Sequence, residues 1–95
     1  MTTLRFEWDS KKSGLNQKKH GISFEEAKSV FFDEHARLID DPSHSKDEDR
    51  FILLGLSAAL RRLVVCHCYR DEGNVIRIIS ARKASSHEIF WYRKR

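Results

Sequence analysis

The chain has 95 residues, enough for one small domain but not for a second hydrophobic core. Hydrophobic residues make up 40% of it, so a core can form without a stapling metal, and the disordered class of protein is excluded. The 18 Lys and Arg outnumber the 14 Asp and Glu, and the net charge of +4 is typical of proteins that bind a polyanion. Ordinary solubilising charge is the alternative explanation.

The cysteines and the hydropathy pattern argue against several other classes of protein. Cys66 and Cys68 lie two residues apart in an apolar run, which predicts reduced thiols in a cytoplasmic protein. No zinc-ligand spacing accompanies them, so neither a metal nor another cofactor is predicted. The N-terminus does not read as a signal peptide, and no apolar run approaches the ~20 residues that span a membrane.

The chain opens with a predicted strand and a predicted helix. Residues 4–8 (LRFEW) alternate apolar and polar side chains, as in a strand with one face on the core. Asp9 is placed to cap a lysine-rich helix over residues 10–20, and Gly21 is placed to end it. Because this helix has few apolar residues, we expect it to lie exposed on the rest of the fold.

A second helix and four strands follow. Ser23 and Glu26 form an S-x-x-E capping box, and the helix that they start is predicted to end near residues 32–33. Runs of apolar and β-branched residues then predict strands over residues 36–40, 51–58, 60–69 and 75–82. Residues 71–74 (DEGN) form a turn before the last strand, and residues 44–49 are a polar loop or one helical turn.

A cationic junction joins the last strand to the last helix. Arg82 and Lys83 end the strand, and Ser85 with Glu88 forms a second capping box that predicts a helix starting near Ser86. Cations beside the N–H groups of a helix start suit a phosphate. A surface strand end with solvated charges is the alternative.

The predicted elements run in the order β-α-α-β-β-β-β-α, without repeats, linkers or low-complexity segments. This order is typical of an α+β domain in which helices flank one antiparallel sheet. We therefore expect residues 1–95 to form a single small domain.

Several stretches together resemble the BrnT family of toxins from bacterial type II toxin–antitoxin systems. They are FEWD, NQKKHGISFEEA, LVVCH and RIISARKAS, followed by Glu88 and Tyr92. The resemblance spans most of the chain, from Phe6 to Tyr92. It implies a RelE-like ribonuclease fold and a cytoplasmic toxin that cleaves RNA and so blocks translation. It also implies a BrnA-like antitoxin that binds DNA and neutralises the toxin. Two assemblies are compatible with the resemblance, a toxin homodimer and a hetero-oligomer of toxin and antitoxin.

Metal-independent RNA cleavage sets the ribose 2′-OH against the adjacent phosphodiester and needs a base, an acid and positive charge. Arg82 is the first candidate for charge stabilisation, with an ion pair to Glu88 or to an acidic loop residue as the alternative. Arg77 is the second, although regular alternation places it on the opposite face unless a bulge intervenes. His67 is the predicted proton carrier, although a lone strand histidine is more often structural. Glu88 is a candidate base whose capping role already explains it.

Other residues are candidates for holding the RNA. The residues predicted to contact the RNA backbone are Lys83, Lys18, Lys19 and His20. Tyr92 is predicted to stack on a base. Each has a simpler explanation as a solvated or helix-capping side chain.

Two other classes of function stay open. A non-catalytic nucleic-acid-binding module would use the same charges without a proton carrier, but no helix-turn-helix, zinc-finger or RRM motif is present. A protein-interaction domain would use the acidic residues 33–49 against a basic partner.

Overall fold

The structure is a computed structural model and describes residues 4–40 and 50–93, with Asp40 described by its backbone alone. The predicted loop over residues 44–49 lies outside these residues. The strands are β1 (Arg5–Glu7), β2 (Arg37–Asp40), β3 (Phe51–Leu56), β4 (Arg62–Arg70) and β5 (Val75–Lys83). The helices are α1 (Ser10–His20), α2 (Phe24–Ser29), which a 3-10 turn over Val30–Phe32 prolongs, and α3 (Ser86–Arg93). The bounds of these elements confirm the predictions to within a few residues.

The described strands form one sheet in the order β1-β5-β4-β3-β2. The α+β class is confirmed, but the sheet is mixed rather than wholly antiparallel, because β1 pairs with β5 in parallel. The pairs β2–β3, β3–β4 and β4–β5 are antiparallel. Two helices follow β1 instead of a tight turn, so β1 is not constrained to pair with the next strand and adds to the edge beside β5.

The two faces of the sheet have different environments. We call the side covered by α1 and α2 the helix face. Its side chains pack with the two helices into the core, which includes Ile22, Phe24, Ala27, Val30, Leu63, Val65, Ile78 and Ala81. We call the opposite side, which α3 partly covers, the α3 face. Apolar side chains of β3 and β4 form much of this face, among them Ile52, Leu54 and Val64.

A β-bulge in β5 changes which side chains share a face. In the β4–β5 pairing, His67 lies opposite Ile78 but Cys66 lies opposite Ser80, so Ile79 is the extra residue. One extra residue restores the alternation that the odd spacing between Arg77 and Arg82 would break. Both arginines therefore belong to the α3 face, which resolves the question that the strand period left open.

The side chain of Asn16 takes the place of a strand beyond the end of β1. The pairing of β1 with β5 ends at Glu7 and Arg77. Further along β5, the N–H of Ala81 donates to Asn16 Oδ1 at 3.1 Å, and Asn16 Nδ2 donates to the Ala81 carbonyl at 2.8 Å. Asn16 Nδ2 also donates to the carbonyl of Ile22 at 2.9 Å, so this buried amide joins α1 to the sheet.

The predicted helix caps are present, with one difference. Asp9 accepts hydrogen bonds from the first turn of α1, and Gly21 ends that helix with a left-handed φ of 73°. Ser23 caps α2, but the Glu26 carboxylate does not return to Ser23 as a capping box requires. It binds Arg61 and the Ser57 hydroxyl instead, and so ties α2 to the β3–β4 turn.

Candidate active site

The junction of β5 and α3 has the geometry that its sequence predicts. The backbone N–H of Ser85 donates to Glu88 Oε1 at 2.8 Å, and the N–H of Glu88 donates to Ser85 Oγ at 3.2 Å. This reciprocal pair is a complete capping box. It fixes both the start of α3 and the Glu88 carboxylate relative to the end of β5.

Arg82 forms a two-pronged ion pair with that carboxylate. Its Nη1 donates to Glu88 Oε1 and its Nη2 to Glu88 Oε2, both at 2.8 Å. The pair is partly solvent-exposed, at 44% for the Arg82 side chain and 29% for Glu88. Hydrogen bonds from Arg82 are the main reason that the pKa of Glu88 falls to about 2. Arg82 is thus held in the planar, bidentate geometry that also suits a phosphate.

In addition to the Arg82–Glu88 ion pair, three polar contacts hold α3 against the rest of the domain. The Tyr92 hydroxyl donates to Asp33 Oδ2 at 2.7 Å, and the Arg62 guanidinium lies 5.8 Å from the centroid of the Tyr92 ring. Arg37 Nη1 donates to the carbonyl of Trp91 at 2.7 Å. Burial raises the pKa of Asp33, but hydrogen bonds from Leu56, Tyr92 and His35 outweigh it and the pKa is lowered.

Arg77 lies on the same face as Arg82 but not beside it. The two are separated along β5 by roughly 15 Å at the rise of a strand. Arg77 Nη1 donates to the Glu7 carboxylate of β1 at 2.8 Å. The structure therefore places Arg77 and Arg82 on one face of the sheet, each paired with a different carboxylate.

His67 lies on the other side of the sheet, fully buried on the helix face with Leu63 and Val65, as the strand period predicted. Its Nδ1 lies 3.1 Å from the Val65 carbonyl and its Nε2 lies 3.3 Å from the Tyr69 hydroxyl. Burial lowers the pKa of His67. The structure does not bring His67 to Arg82, because the sheet itself separates the two side chains.

The predicted RNA-binding cations also lie mostly on the helix side. Lys83 lies opposite Leu63 and so points to the helix face, where its charge helps to lower the pKa of Glu26. Lys18 and Lys19 are exposed in the last turn of α1, next to His20. The last turn of α1 lies at the same end of the sheet as Arg82, because Arg61, just before β4, donates to the Gly21 carbonyl that follows α1.

A comparison with protein families identifies the chain. A family profile described as the ribonuclease toxin BrnT of type II toxin–antitoxin systems matches residues 8–88. The chain belongs to this BrnT family. Membership confirms the resemblance seen in the sequence and identifies a ribonuclease toxin of a type II system, whose partner is a cognate antitoxin protein.

A solved structure supports the fold of this family member. The 1.1 Å crystal structure of the Brucella abortus ribonuclease toxin BrnT matches with a TM-score of 0.68 and 23% sequence identity. The match covers 88% of this chain and 100% of that chain. A comparison with curated proteins gives no match.

Sequence reasoning missed several residues at the junction of this BrnT-family chain. Arg62 and Asp33 contact Tyr92, and His87 lies one helical turn from Trp91, with 6.4 Å between the ring centroids. His87 and Trp91 are four residues apart, as are Glu88 and Tyr92. Because side chains at this spacing are neighbours on a helix, the sequence could have indicated both pairs. Asp33 had no such signal, because it reaches α3 only through the fold.

The described residues contain neither a cluster of metal ligands nor a helix that could span a membrane. Across residues 4–40 and 50–93, no group of three or more His, Cys, Asp and Glu side chains is placed to hold a metal ion. In the same residues no helix has the length and hydropathy needed to cross a membrane.

Proposed function

We propose that the chain is a metal-independent endoribonuclease that binds the scissile phosphate of RNA at Arg82. The observation that carries this proposal is the bidentate Arg82–Glu88 pair, partly exposed where β5 meets α3. The two N–H groups of Arg82 that hold Glu88 also fit two phosphate oxygens, so a phosphate can displace the carboxylate from Arg82. A fixed guanidinium stabilises the charge that builds on the phosphorane.

Glu88 supplies the base in this proposal. With Arg82 bound to it, Glu88 has a pKa of about 2 and is a weak base. A phosphate that binds Arg82 Nη1 and Nη2 in place of Glu88 removes the main cause of that low pKa. The Glu88 carboxylate then becomes a stronger base beside the reacting group. Glu88 then accepts the proton of the 2′-OH as O2′ bonds to phosphorus. The P–O5′ bond breaks, which leaves a 2′,3′-cyclic phosphate and a 5′-hydroxyl end.

The leaving O5′ needs a proton donor, and His87 is the candidate that the structure offers at this junction. It precedes Glu88 in the first turn of α3, and both residues line a cleft between α3 and the sheet. An imidazolium can protonate a leaving oxygen. His67 was the predicted carrier, but its burial on the helix face keeps it out of the proposed site.

The remaining predicted cations act on the RNA backbone away from the reacting phosphate. Arg77 lies farther along the α3 face, Lys83 ends β5, and Lys18, Lys19 and His20 form the last turn of α1. Tyr92 stays the predicted stacking residue, and its ring is positioned by Asp33, which accepts from its hydroxyl, and by the nearby Arg62 guanidinium. Such contacts position the strand without specifying its sequence.

In the cell, we propose, this cleavage acts on RNA in the cytoplasm and so blocks translation. The cognate antitoxin is BrnA-like and binds DNA, and it neutralises the toxin by covering the cationic junction. The net charge of +4 fits a partner that presents acidic side chains to this surface.

The test is RNA cleavage by the purified chain in the presence of EDTA. Single-stranded RNA should be cut to products that end in a cyclic phosphate. Arg82→Ala should lower the rate by roughly 10²–10³, the usual loss for a donor that stabilises transition-state charge. Arg82→Lys should recover only part of the rate, because an ammonium cannot form the bidentate contact.

Arg5→Ala is the matched control. Arg5 forms a single exposed ion pair with Asp71 at 2.8 Å, roughly 20 Å from Arg82 along the sheet. The control should cut RNA like the unmodified chain. If Arg82→Ala cuts as fast as the control, the site assignment is wrong. If the chain binds RNA in a salt-dependent way and releases no product, a non-catalytic binding module takes its place.

A further inference from the structure

A cleft of about 220 Å³ separates α3 from the sheet, directly beside the proposed phosphate site. Its lining side chains are mostly aliphatic or aromatic, namely Ile39, Ile52, Leu54, Val64, His87 and Trp91. The proposed chemistry uses only His87 and Glu88 of its lining. We propose that this cleft binds the nucleobase of the nucleotide whose phosphate is held by Arg82, an inference that rests on the proposed function.

The pairing of β4 with β5 places the cleft next to Arg82. Val64, on its floor, is the residue of β4 that pairs with Arg82 of β5. Side chains of such directly opposed residues stand about 5 Å apart on the same face. Glu88 lines the cleft as well, and its carboxylate takes the Arg82 fork. A phosphate bound at Arg82 therefore has its own nucleotide at the mouth of the cleft.

One wall presents aromatic rings to the cleft. His87 and Trp91 lie one helical turn apart on α3, with ring centroids 6.4 Å apart. Trp91 is 48% exposed, so its ring is available to a ligand. Its backbone carbonyl accepts a hydrogen bond from Arg37, which holds this part of α3 over the sheet. Aromatic rings over an aliphatic floor suit the flat, apolar faces of a base.

Charge on two sides of the cleft favours a nucleotide over an apolar side chain of a protein partner. Arg82, which an incoming phosphate would release from its pair with Glu88, lies at one side, and the Arg37 guanidinium lies 5.9 Å from the Trp91 ring centroid at another. An aliphatic side chain would gain nothing from flanking cations, whereas a base within a strand has a phosphate on each side. The shape of the cleft fits either occupant, and the positive charges beside it favour the nucleotide.

Trp91 provides the readout for a binding experiment. The chain has 2 tryptophans, and the other, Trp8, lies half-buried against Phe24. In a Trp8→Phe protein all tryptophan fluorescence comes from Trp91. The probes are a short single-stranded DNA oligonucleotide, which has no 2′-OH to react, and an abasic oligonucleotide with the same number of phosphates.

Ile39→Phe and Leu38→Phe form a matched pair of variants. Both residues lie in the edge strand β2 and are about equally exposed, at 43% and 51%. Ile39 lines the cleft, whereas its neighbour Leu38 points to the opposite face. A larger side chain at Ile39 fills the cleft, and the same change at Leu38 leaves it open.

We expect the DNA oligonucleotide to change Trp91 fluorescence and to bind about tenfold more tightly than the abasic probe, as stacking of one base predicts. Ile39→Phe should remove that advantage while abasic binding persists, and Leu38→Phe should retain it. Equal binding of the two probes by the unmodified cleft would overturn the proposal, as would equal behaviour of the two variants. A fluorescence change that tracks self-association without any oligonucleotide would assign the cleft to a second copy and overturn it too.

RNA cleavage in EDTA, measured on the same Trp8→Phe protein, separates this inference from the proposed function. Cleavage without a difference between the probes rejects the base site alone. A clear difference between the probes without cleavage keeps the base site and rejects the nuclease mechanism.

Discussion

Replacing Glu88 with glutamine removes the carboxylate that occupies Arg82 in the free protein. Glutamine also serves at this position of a capping box, so the start of α3 should be retained. At side-chain exposures of 44% and 29%, the ion pair is worth about 1 kcal/mol after solvent screening. Since a phosphate no longer has to displace a charged partner, Glu88→Gln should bind a DNA oligonucleotide about fivefold more tightly.

Cleavage by the same variant should change in the opposite direction. If Glu88 accepts the 2′-OH proton, its amide cannot, and the rate should fall by roughly 10²–10⁴. Tighter binding with slower cleavage is the combined signature. A stabilising or merely structural role for Glu88 would not produce it.

Fluorescence anisotropy measures the binding, and gel analysis of single-stranded RNA in EDTA measures the cleavage. Asp71→Asn is the control, because it also removes one negative charge from an arginine pair, that with Arg5 at 2.8 Å. Asp71 has a positive φ of 52°, which asparagine tolerates. If Glu88→Gln cuts RNA as fast as the unmodified chain, Glu88 is not the base. If Asp71→Asn tightens binding equally, the gain reflects net charge and not competition for Arg82.

Three further predictions concern stability and use urea unfolding. Asn16→Leu removes the side-chain partners of the Ala81 N–H and carbonyl, so it should lower the free energy of unfolding by about 3 kcal/mol. A loss below about 1 kcal/mol would contradict the bridging role of Asn16. Gly55→Ala should destabilise the fold by roughly 1–3 kcal/mol, because an added Cβ would lie 2.8 Å from Val30 Cγ1. An unchanged urea midpoint would show that the 3-10 turn at Val30 can shift. The folded-state pKa of His67 is lowered, so the unfolded chain binds the proton first and stability should fall as pH drops below about 6.5. His67→Phe should reduce that slope, and an unchanged slope would assign it to other groups.

The sequence predicted well those features that neighbouring residues determine. Asp9 and Gly21 bound α1, and Ser85 and Glu88 form the complete capping box, because each depends on contacts within a few residues. The face of His67 followed from the strand period, which holds along an unbroken strand. The position of Arg82 near the end of a strand and just before a cap was predicted for the same reason, whereas its role in a site stays a prediction.

Features that depend on distant parts of the chain were not predictable in this way. Asn16 contacts Ala81 across 65 positions, and nothing in its own neighbourhood distinguishes it from an exposed polar residue. The bulge at Ile79 appears only in the register of β5 against β4. The parallel position of β1 likewise follows from the completed sheet. The sequence could therefore name Arg77 and Arg82 but not place them on one face.

The division of the sheet into two faces explains why the candidate site can be polar and still be compatible with folding. The helix face carries the fully buried side chains, among them Phe24, Val30 and Leu63. None of the residues of α3 is buried, and named polar contacts such as Arg82 to Glu88 hold this helix in place. Exposed polar contacts contribute little to stability individually. Substitutions at Arg82 and Glu88 should therefore cost activity far more than stability, so a folded but inactive toxin is the expected product of either change.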